Sequence, residues 1–349
     1  GPGTHPCGRA AGHVVNAVLI EDGGITAFGD FQEVSATAAS SNVTRIDLEG
    51  RLVLPGFIDS HLHVVEAGLN EAACLVDEVF NLNELNFYFE ECDNGGVFGD
   101  QGWLIGSGID VSILLEDIDF SENPISILDR LYPNTPVLVL DNLGHGAIAN
   151  TLALQLSGLI SLQVDPPGGK IVFDSSGGLT GIVLENAQQP LRSAAFPPSR
   201  ANQDQAYEAL LRSLEILAQN GITTVSDAGG YWRQAQTEAW ETAEDSGNLT
   251  VRASNALYVY PDIPIESQIL ELKSRFSNNA TKLANFNFAK LYLDGILELA
   301  SAALLEPYEA GLGLDPQDEL GFEYFGNGTY LNTVVKILLE NDFALHFHY

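Results

Sequence analysis

Two pairs of histidines, each pair separated by one residue, are the side chains of this sequence best suited to chemistry. His61 and His63 follow the β-forming run 57–59, and His346 and His348 close a second apolar run. Residues two apart in a strand point to the same face, so each pair projects together. Because imidazole is the commonest metal ligand among side chains, the pairs predict a metal site. The alternative is ordinary polar residues at two strand ends.

Lys290 is the third candidate, because it lies within the apolar run 288–293. Burying an ammonium group is costly, and desolvation lowers the pKa of a lysine. The neutral amine could then react with CO2 to give a carbamate, an anionic oxygen ligand able to bridge two metal ions. Two alternatives stay open, namely a lysine that reaches solvent from a strand end and a lysine paired with Asp294.

The charge of the chain limits its partners. The 349 residues include 47 acidic and 15 basic side chains, which gives a net charge of −32. This balance argues against nucleic acid, whose phosphates require lysine and arginine, and against an anionic membrane surface. We expect a small-molecule substrate, with a homo-oligomer as an option. The compartment stays open between the cytoplasm and a secreted or periplasmic location, and the acidic surface is compatible with a saline environment.

Two further counts bear on the organisation of the chain. The three cysteines (Cys7, Cys74 and Cys92) are an odd and sparse set, which predicts no disulfide framework. The sequence contains no methionine, even at position 1. We therefore expect this sequence to be a piece of a longer protein.

The elements that must position the candidate residues fall into four segments. Residues 1–55 are predicted to form short strands and turns, with strands at 14–20, 25–28, 43–48 and 51–54. Residues 56–66 contain the first histidine strand. Residues 67–202 hold elements of their own, which predicts an inserted subdomain rather than a loop. Its predicted elements are strands at 103–110 and 135–141, a helix at 147–156 and a hairpin at 168–184.

Residues 203–349 alternate between helical and strand patterns. This alternation predicts βα units and a parallel sheet. The predicted helices are 206–220, 233–244, 265–276 and 331–341, and the predicted strands are 222–225, 251–260, 288–293 and 343–347. Counted from the first histidine strand, the chain provides about five strands of a barrel that needs eight.

The predicted fold class is therefore α/β, an incomplete (β/α)8 TIM barrel with an N-terminal β-sandwich part and a large insertion after strand 1. In such barrels the active site lies at the carboxyl ends of the strands, where both histidine pairs are expected. The shortfall of about three strands agrees with a fragment.

Five strings of the chain resemble the amidohydrolase superfamily. Within it, they are most similar to the branch that includes exoenzyme regulatory proteins and N-substituted formamide deformylases. The resemblance covers nearly the whole chain and implies a barrel, a β-sandwich built from both chain ends and an insertion after the first strand. The matching strings are residues 54–63, 141–150, 221–225, 290–295 followed by 300–308, and 345–348.

The resemblance also implies roles for individual residues. His61 and His63 would bind a first metal ion, a carboxylated Lys290 would bridge two ions, and His348 would bind the second with His346 beside it. The cofactor would be one or two divalent ions, zinc foremost. The reaction would be hydrolysis of carbon–nitrogen bonds other than peptide bonds by metal-activated water.

The resemblance leaves the catalytic residue unknown within this chain. Its aspartate, and one more histidine, are expected beyond residue 349, so the chain alone could be inactive. The alternative function is an inactive fragment or a non-catalytic metal-binding relative. A phosphate-handling barrel is disfavoured because no glycine-rich loop opens a helix.

Weaker candidates surround this site. His145 lies in a Gly-His-Gly string that matches the family, so it is a candidate substrate contact together with His346 and Asp294. For His145 the alternative is a structural hydrogen bond in a tight glycine turn. Asp59 could orient a ligand histidine, or it could simply stabilise a turn.

Overall fold

The computed structural model describes most of the chain and divides it into two compact units, Gly1–Pro55 and Gly56–Tyr349. The proposed boundaries inside the second unit, at residues 66 and 202, stay predictions. The described residues are 14–38, 43–76, 81–92, 97–98, 102–115, 122–162, 164–308, 320–326 and 328–349.

The first unit contains a small antiparallel hairpin. Strand β1 (Ala17–Glu21) pairs with β2 (Gly24–Gly29), as the sequence predicts, and helix α1 (Phe31–Thr37) follows. The predicted strands at 43–48 and 51–54 do not form, and most of their side chains are exposed. A strand needs a partner for its backbone N–H and C=O groups, and no described strand of this unit pairs with these residues. The described part of the unit is therefore a hairpin and a helix, without a second sheet.

The second unit begins with the first histidine strand. Strand β3 (Phe57–Leu62) is followed at once by helix α2 (Val64–Ala72), so that His63 is the residue between the two elements. The buried side of α2 includes Val65 and Leu69. This junction fixes where the first histidine pair can lie.

In the sequence, α2 is followed by the strands of a separate sheet. It has seven strands of mixed direction in the order β4-β6-β7-β8-β10-β9, with β5 also paired to β6. Short helices lie between its strands. In chain order the elements are β4 (Cys74–Leu75), α3 (Leu85–Glu91), β5 (Val97–Phe98), β6 (Trp103–Ile109), α4 (Val111–Leu115), α5 (Pro124–Leu131), β7 (Val137–Asp141), β8 (Gly146–Ala149), α6 (Thr151–Leu156), β9 (Gly169–Phe173), β10 (Leu179–Glu185) and α7 (Gln189–Ala195).

Two features of this region differ from the expectations. The predicted helix at 147–156 is strand β8 followed by the shorter helix α6, because Asn150 accepts a hydrogen bond from the Ala153 backbone N–H at 3.0 Å and caps α6 there. Cys74 and Cys92 form a disulfide, although no disulfide framework was expected. Strand β4 and the end of α3 bring the two Cα atoms within 5.7 Å, a proximity that the spacing does not reveal. Cys7 lies outside the described residues.

The remaining elements alternate between helix and strand, which confirms the predicted alternation. Strands β3, β11, β12, β13 and β14 form one five-stranded sheet in that spatial order, and every neighbouring pair is parallel. This is a mixed α/β fold with a barrel-like parallel sheet of five described strands. The new elements are α8 (Arg200–Gln219), β11 (Ile222–Gly230), α9 (Gln236–Ser246), β12 (Arg252–Tyr258), α10 (Ile265–Arg275), β13 (Ala284–Tyr292), α11 (Gly328–Glu340) and β14 (Ala344–His348).

Local sequence explains the longest helix, α8. Ser199 caps its start by accepting a hydrogen bond from the Asn202 backbone N–H, and Gly221 adopts a positive φ of 71° just after its end. Its buried face includes Leu210 and Leu214, which pack in the main hydrophobic core with residues of α2 and α9. Among the described residues, no helix combines the length and the hydrophobicity needed to cross a bilayer.

Candidate metal site

The carboxyl ends of β3, β13 and β14 bring four predicted residues together. Lys290 and His346 are register partners on adjacent strands, so they share one face of the sheet. The Nδ1 atom of His61 lies 3.2 Å from Nε2 of His346. The rings of His61 and His63 have centroids 5.6 Å apart. We call His61, His63, Lys290 and His346 the histidine–lysine cluster.

The donor atoms of this cluster fit a divalent metal ion in type and spacing. Two imidazole nitrogens that bind one tetrahedral zinc at 2.0–2.1 Å would lie about 3.3 Å apart, close to the separation of His61 and His346. The described residues nevertheless contain no group of three or more His, Cys, Asp or Glu side chains arranged to hold an ion. A site here therefore needs the lysine as a ligand, or a shift of the side chains on binding.

Lys290 lies fully buried within the sheet. Its Nζ atom makes no hydrogen bond, and it lies 4.7 Å from the centre of the Tyr292 ring. Burial lowers the pKa of Lys290 to about 8. The lysine therefore neither reaches solvent nor pairs with Asp294, whose Oδ2 atom accepts a hydrogen bond from the Ala303 backbone N–H. Asp294 lies just beyond β13, and its Oδ1 atom is buried without a hydrogen-bond partner.

His61 and His346 are held in the neutral form that binds metals. Burial, followed by the nearby charge of Lys290, lowers the pKa of His61. The same two causes lower the pKa of His346 to about 4. Neutral imidazole has a lone pair available for a metal ion, so this environment favours ligation over protonation.

His348 belongs to a different group of side chains. Its ring lies 4.5 Å from that of Tyr292 and 5.0 Å from that of His145, measured between ring centres. Its Nε2 atom is 3.3 Å from the carbonyl oxygen of Gly295. The structure thus brings His346, rather than His348, into contact with His61. The role of His348 as a metal ligand stays a prediction.

Glu185 holds His145 in this second group. Its Oε2 atom lies 2.6 Å from His145 Nδ1 and accepts a hydrogen bond from the Tyr324 hydroxyl at 2.7 Å, while its Oε1 atom accepts from the Ser301 hydroxyl at 2.5 Å. Burial lowers the pKa of His145, but the hydrogen bond and the charge of Glu185 outweigh it and raise that pKa. His145 therefore makes a structural hydrogen bond, which was the alternative to a role in substrate binding. Its ring also lies beside that of His348.

A comparison with known proteins identifies the family. The model of the amidohydrolase family matches residues 44–349. The chain belongs to the amidohydrolase family.

Individual relatives agree with this assignment. This amidohydrolase is 28% identical over 318 residues to the protein LONG AFTER FAR-RED 3 of Arabidopsis thaliana, an alignment that covers 88% of this chain and 51% of the relative. It is 32% identical over 238 residues to the N-substituted formamide deformylase of Arthrobacter pascens, with 67% and 42% covered. The chain thus spans about half the length of these curated relatives.

A solved structure shares the fold of this amidohydrolase. It is the crystal structure of an uncharacterized metal-dependent hydrolase from Pyrococcus horikoshii, with a TM-score of 0.65 and 21% sequence identity. The alignment covers 95% of this chain and 60% of that chain. At this identity the likeness concerns the fold alone.

Buried carboxylates that the sequence analysis did not single out support the site of this amidohydrolase. Asp227, within β11, accepts hydrogen bonds from the backbone N–H groups of Val64 and Gly229 and from the Trp240 indole. Burial raises the pKa of Asp227. These bonds fix the start of α2, directly after His63. The only signal in the sequence was an acidic residue that follows closely on a predicted apolar strand, as Asp227 follows 222–225 and Glu185 follows the hairpin at 168–184.

Of the two roles predicted for Asp59, the structure shows the stabilisation of a turn. Its Oδ1 atom accepts a hydrogen bond from the backbone N–H of His61 at 3.0 Å. The contact is to the backbone rather than to an imidazole, so Asp59 stabilises the local chain direction.

Proposed function

We propose that this chain carries metal-binding residues of a hydrolase that cleaves carbon–nitrogen bonds of amide-type small molecules. The observation that carries the proposal is the histidine–lysine cluster, in which a buried amine without a hydrogen bond lies beside neutral imidazoles at the carboxyl ends of parallel strands. Membership in the amidohydrolase family supports it. The relative named N-substituted formamide deformylase supports an amide-type substrate.

Each residue of the cluster has a proposed part. His61 and His63 would hold the first ion, and Lys290, once carboxylated, would supply an anionic oxygen ligand. His346 or His348 completes the set. When bound, one or two divalent ions, zinc foremost, would act as Lewis acids toward water and the substrate carbonyl.

The second group of side chains has a proposed part in holding the substrate. Glu185 fixes the ring of His145 through Nδ1, which leaves Nε2 as the atom available to a ligand. His145 and His348 lie ring to ring, so a substrate that reaches one also meets the other. Asp294 stays a weaker candidate for the same role.

A non-catalytic metal-binding relative, or a piece without activity of its own, is the second candidate. The observation that favours it is that the described residues contain no group of three or more His, Cys, Asp or Glu side chains arranged to hold an ion, which a hydrolytic metal centre would use. Activity of the full-length protein separates the two candidates.

The first test is elemental analysis of the purified full-length protein, together with the 349-residue chain. We expect one or two equivalents of a divalent transition metal, and loss of that metal in the double variant His61→Ala/His63→Ala. His13→Ala, which removes a histidine that the sequence analysis does not name as a metal ligand, is the matched control and should keep the metal. A screen of N-substituted amides then follows. A full-length protein that is free of metal and hydrolyses nothing would contradict the proposal.

Single variants distinguish the two histidines of β14. Because His346 lies 3.2 Å from His61, we expect His346→Ala to lower the metal content. If His348→Ala lowers it equally, both histidines bind metal, as the family resemblance implies for His348. If His348→Ala keeps the metal but loses amide hydrolysis, His348 acts on the substrate.

A further inference from the structure

A chain of buried polar contacts connects His63 to the region that carries His145. Gln188 donates from Nε2 to the Gly144 carbonyl at 2.8 Å, and Arg192 donates from Nε to Gln188 Oε1 at 2.8 Å. Arg192 also donates from Nη1 to Glu66 Oε1 at 2.5 Å. The other carboxylate oxygen of Glu66, Oε2, lies 3.2 Å from His63 Nδ1, although the angles there do not make a hydrogen bond and Nδ1 is buried without another partner. We call Gln188, Arg192 and Glu66 the positioning chain.

The burial of this chain argues that it does more than hold elements together. Gln188 and Arg192 are each only 3% exposed, and the Glu66 side chain is 12% exposed. Buried ion pairs cost desolvation free energy, and apolar side chains of similar volume often replace them without loss of stability. The Arg192–Glu66 pair joins residues 126 positions apart and lies next to the candidate metal ligand His63. We therefore expect this pair to have a role beyond stability.

The geometry at His63 indicates what that role is. A metal-binding histidine generally gives its second ring N–H to a carboxylate, which fixes the tautomer and the ring orientation. Glu66 lies beside Nδ1, so the atom left for a metal is Nε2. The space around Nδ1 is also tight, since a Cβ atom placed on Gly229 would lie 2.7 Å from it.

We propose that the positioning chain orients His63 for metal binding and couples this ligand to the His145 turn. The proposal rests on the proposed metal site. In it, Glu66 accepts a hydrogen bond from the Nδ1–H group of His63 when the metal is bound, Arg192 holds the Glu66 carboxylate in place, and Gln188 links the guanidinium to the carbonyl that precedes His145. Residues that follow β10 thus set the geometry of a ligand carried by β3.

The test measures zinc affinity of the full-length protein by competition with a chelator. Glu66→Gln keeps the shape of the side chain and removes its charge, and we expect it to weaken zinc binding about 10- to 100-fold. Arg192→Gln, which removes the partner of Glu66, should act in the same direction. A changed visible absorption spectrum of the cobalt-substituted protein would report the altered ligand geometry directly.

The matched control is Glu238→Gln. It removes the acid from the partly buried pair formed by Glu238 and Arg275, which are 2.9 Å apart, and should leave zinc affinity unchanged. If Glu66→Gln binds zinc as tightly as the wild type, the chain is only a structural bridge and the proposal is wrong. Should Glu66→Gln fail to fold, Glu66→Asp and Gln188→Leu provide the same comparison.

Failure of the two proposals gives different results. If the wild-type full-length protein binds no zinc, cobalt or other divalent ion, the proposed metal site is wrong and the positioning role falls with it. If the wild type binds zinc and the variants bind it equally well, only the positioning role is overturned.

Discussion

Lys290 is the residue whose environment says most about chemistry. Its amine is fully buried and makes no hydrogen bond, in a chain where most other charged side chains face water. An unsatisfied buried polar group costs about 1–3 kcal/mol of folding free energy. A residue kept at that cost is expected where the amine is modified or binds a ligand in the working protein.

Replacement of this lysine gives the first stability prediction. Lys290→Met removes the buried amine and keeps a side chain of similar length, so the metal-free protein should unfold at an unchanged free energy or be about 1 kcal/mol more stable. The same variant should lose metal, because it cannot form the carbamate. Urea unfolding in the presence of a chelator and elemental analysis measure the two effects.

Lys336→Met is the control for this prediction. Lys336 is 74% exposed on α11, so its replacement should change neither property. A loss of more than about 2 kcal/mol in metal-free Lys290→Met would show that the amine stabilises the fold. The proposed role of Lys290 would then need revision.

At the scale of elements, helices α2 and α8 determine where the first histidine pair lies. Helix α2 starts directly after His63, and the Ser213 hydroxyl of α8 donates a hydrogen bond to the Val64 carbonyl at 2.9 Å. Gly68 allows the two helices to approach closely, since a Cβ atom there would lie 2.3 Å from the Ala209 carbonyl oxygen. Close packing of these helices therefore supports the β3–α2 junction.

For replacement of Gly68 by alanine, helix propensity and steric overpacking have opposite effects on stability. In an isolated helix, replacing glycine by alanine would be favourable by about 0.5–1 kcal/mol. At Gly68 the added methyl meets backbone, and overpacking costs about 1–3 kcal/mol. We therefore expect Gly68→Ala to lower the free energy of unfolding by about 1–2 kcal/mol, measured by urea denaturation.

An exposed position on the same helix provides the control. Glu71→Ala should change stability by less than about 0.5 kcal/mol, because its side chain faces solvent. A Gly68→Ala protein as stable as the wild type would show that α2 and α8 can move apart without loss.

At the scale of the whole molecule, the dominant physical property is the net charge of −32. Self-repulsion of like charges destabilises a compact chain, and salt screens it because the Debye length falls from about 30 Å at 0.01 M to about 8 Å at 0.15 M. The surface ion pairs found among the described residues, such as Arg200–Asp204 and Lys336–Glu340, are highly exposed and contribute little.

Stability should therefore increase with ionic strength. We expect the thermal midpoint to rise as NaCl is increased from about 0.01 M to about 0.15 M, the range over which the Debye length falls from about 30 Å to about 8 Å. The matched measurement uses sucrose at the same osmolality, which acts by exclusion from the surface and not by screening. A thermal midpoint that stays constant or falls with NaCl would show that repulsion is not a significant destabilising term.

The sequence predicted the parallel strands well because their signals are local. Apolar runs, helical spacing and a stop such as Gly221 mark β11 to β14 and their helices, and the strands pair in the predicted alternation. It failed at residues 43–54, where strand-like composition finds no partner, and at the Cys74–Cys92 disulfide. Both outcomes depend on which segments meet in space, which spacing does not encode.

By itself, the sequence determined which residues could bind a metal ion, since residue type and the two-residue period place each histidine pair on one face of a strand. Only the tertiary structure decided how they group. Strand register sets His346 beside Lys290 and His61, while His348 lies with His145. The acidic partners were likewise hidden, because Glu66, Glu185 and Asp227 act through contacts between distant segments, and such contacts exist only once the chain has folded.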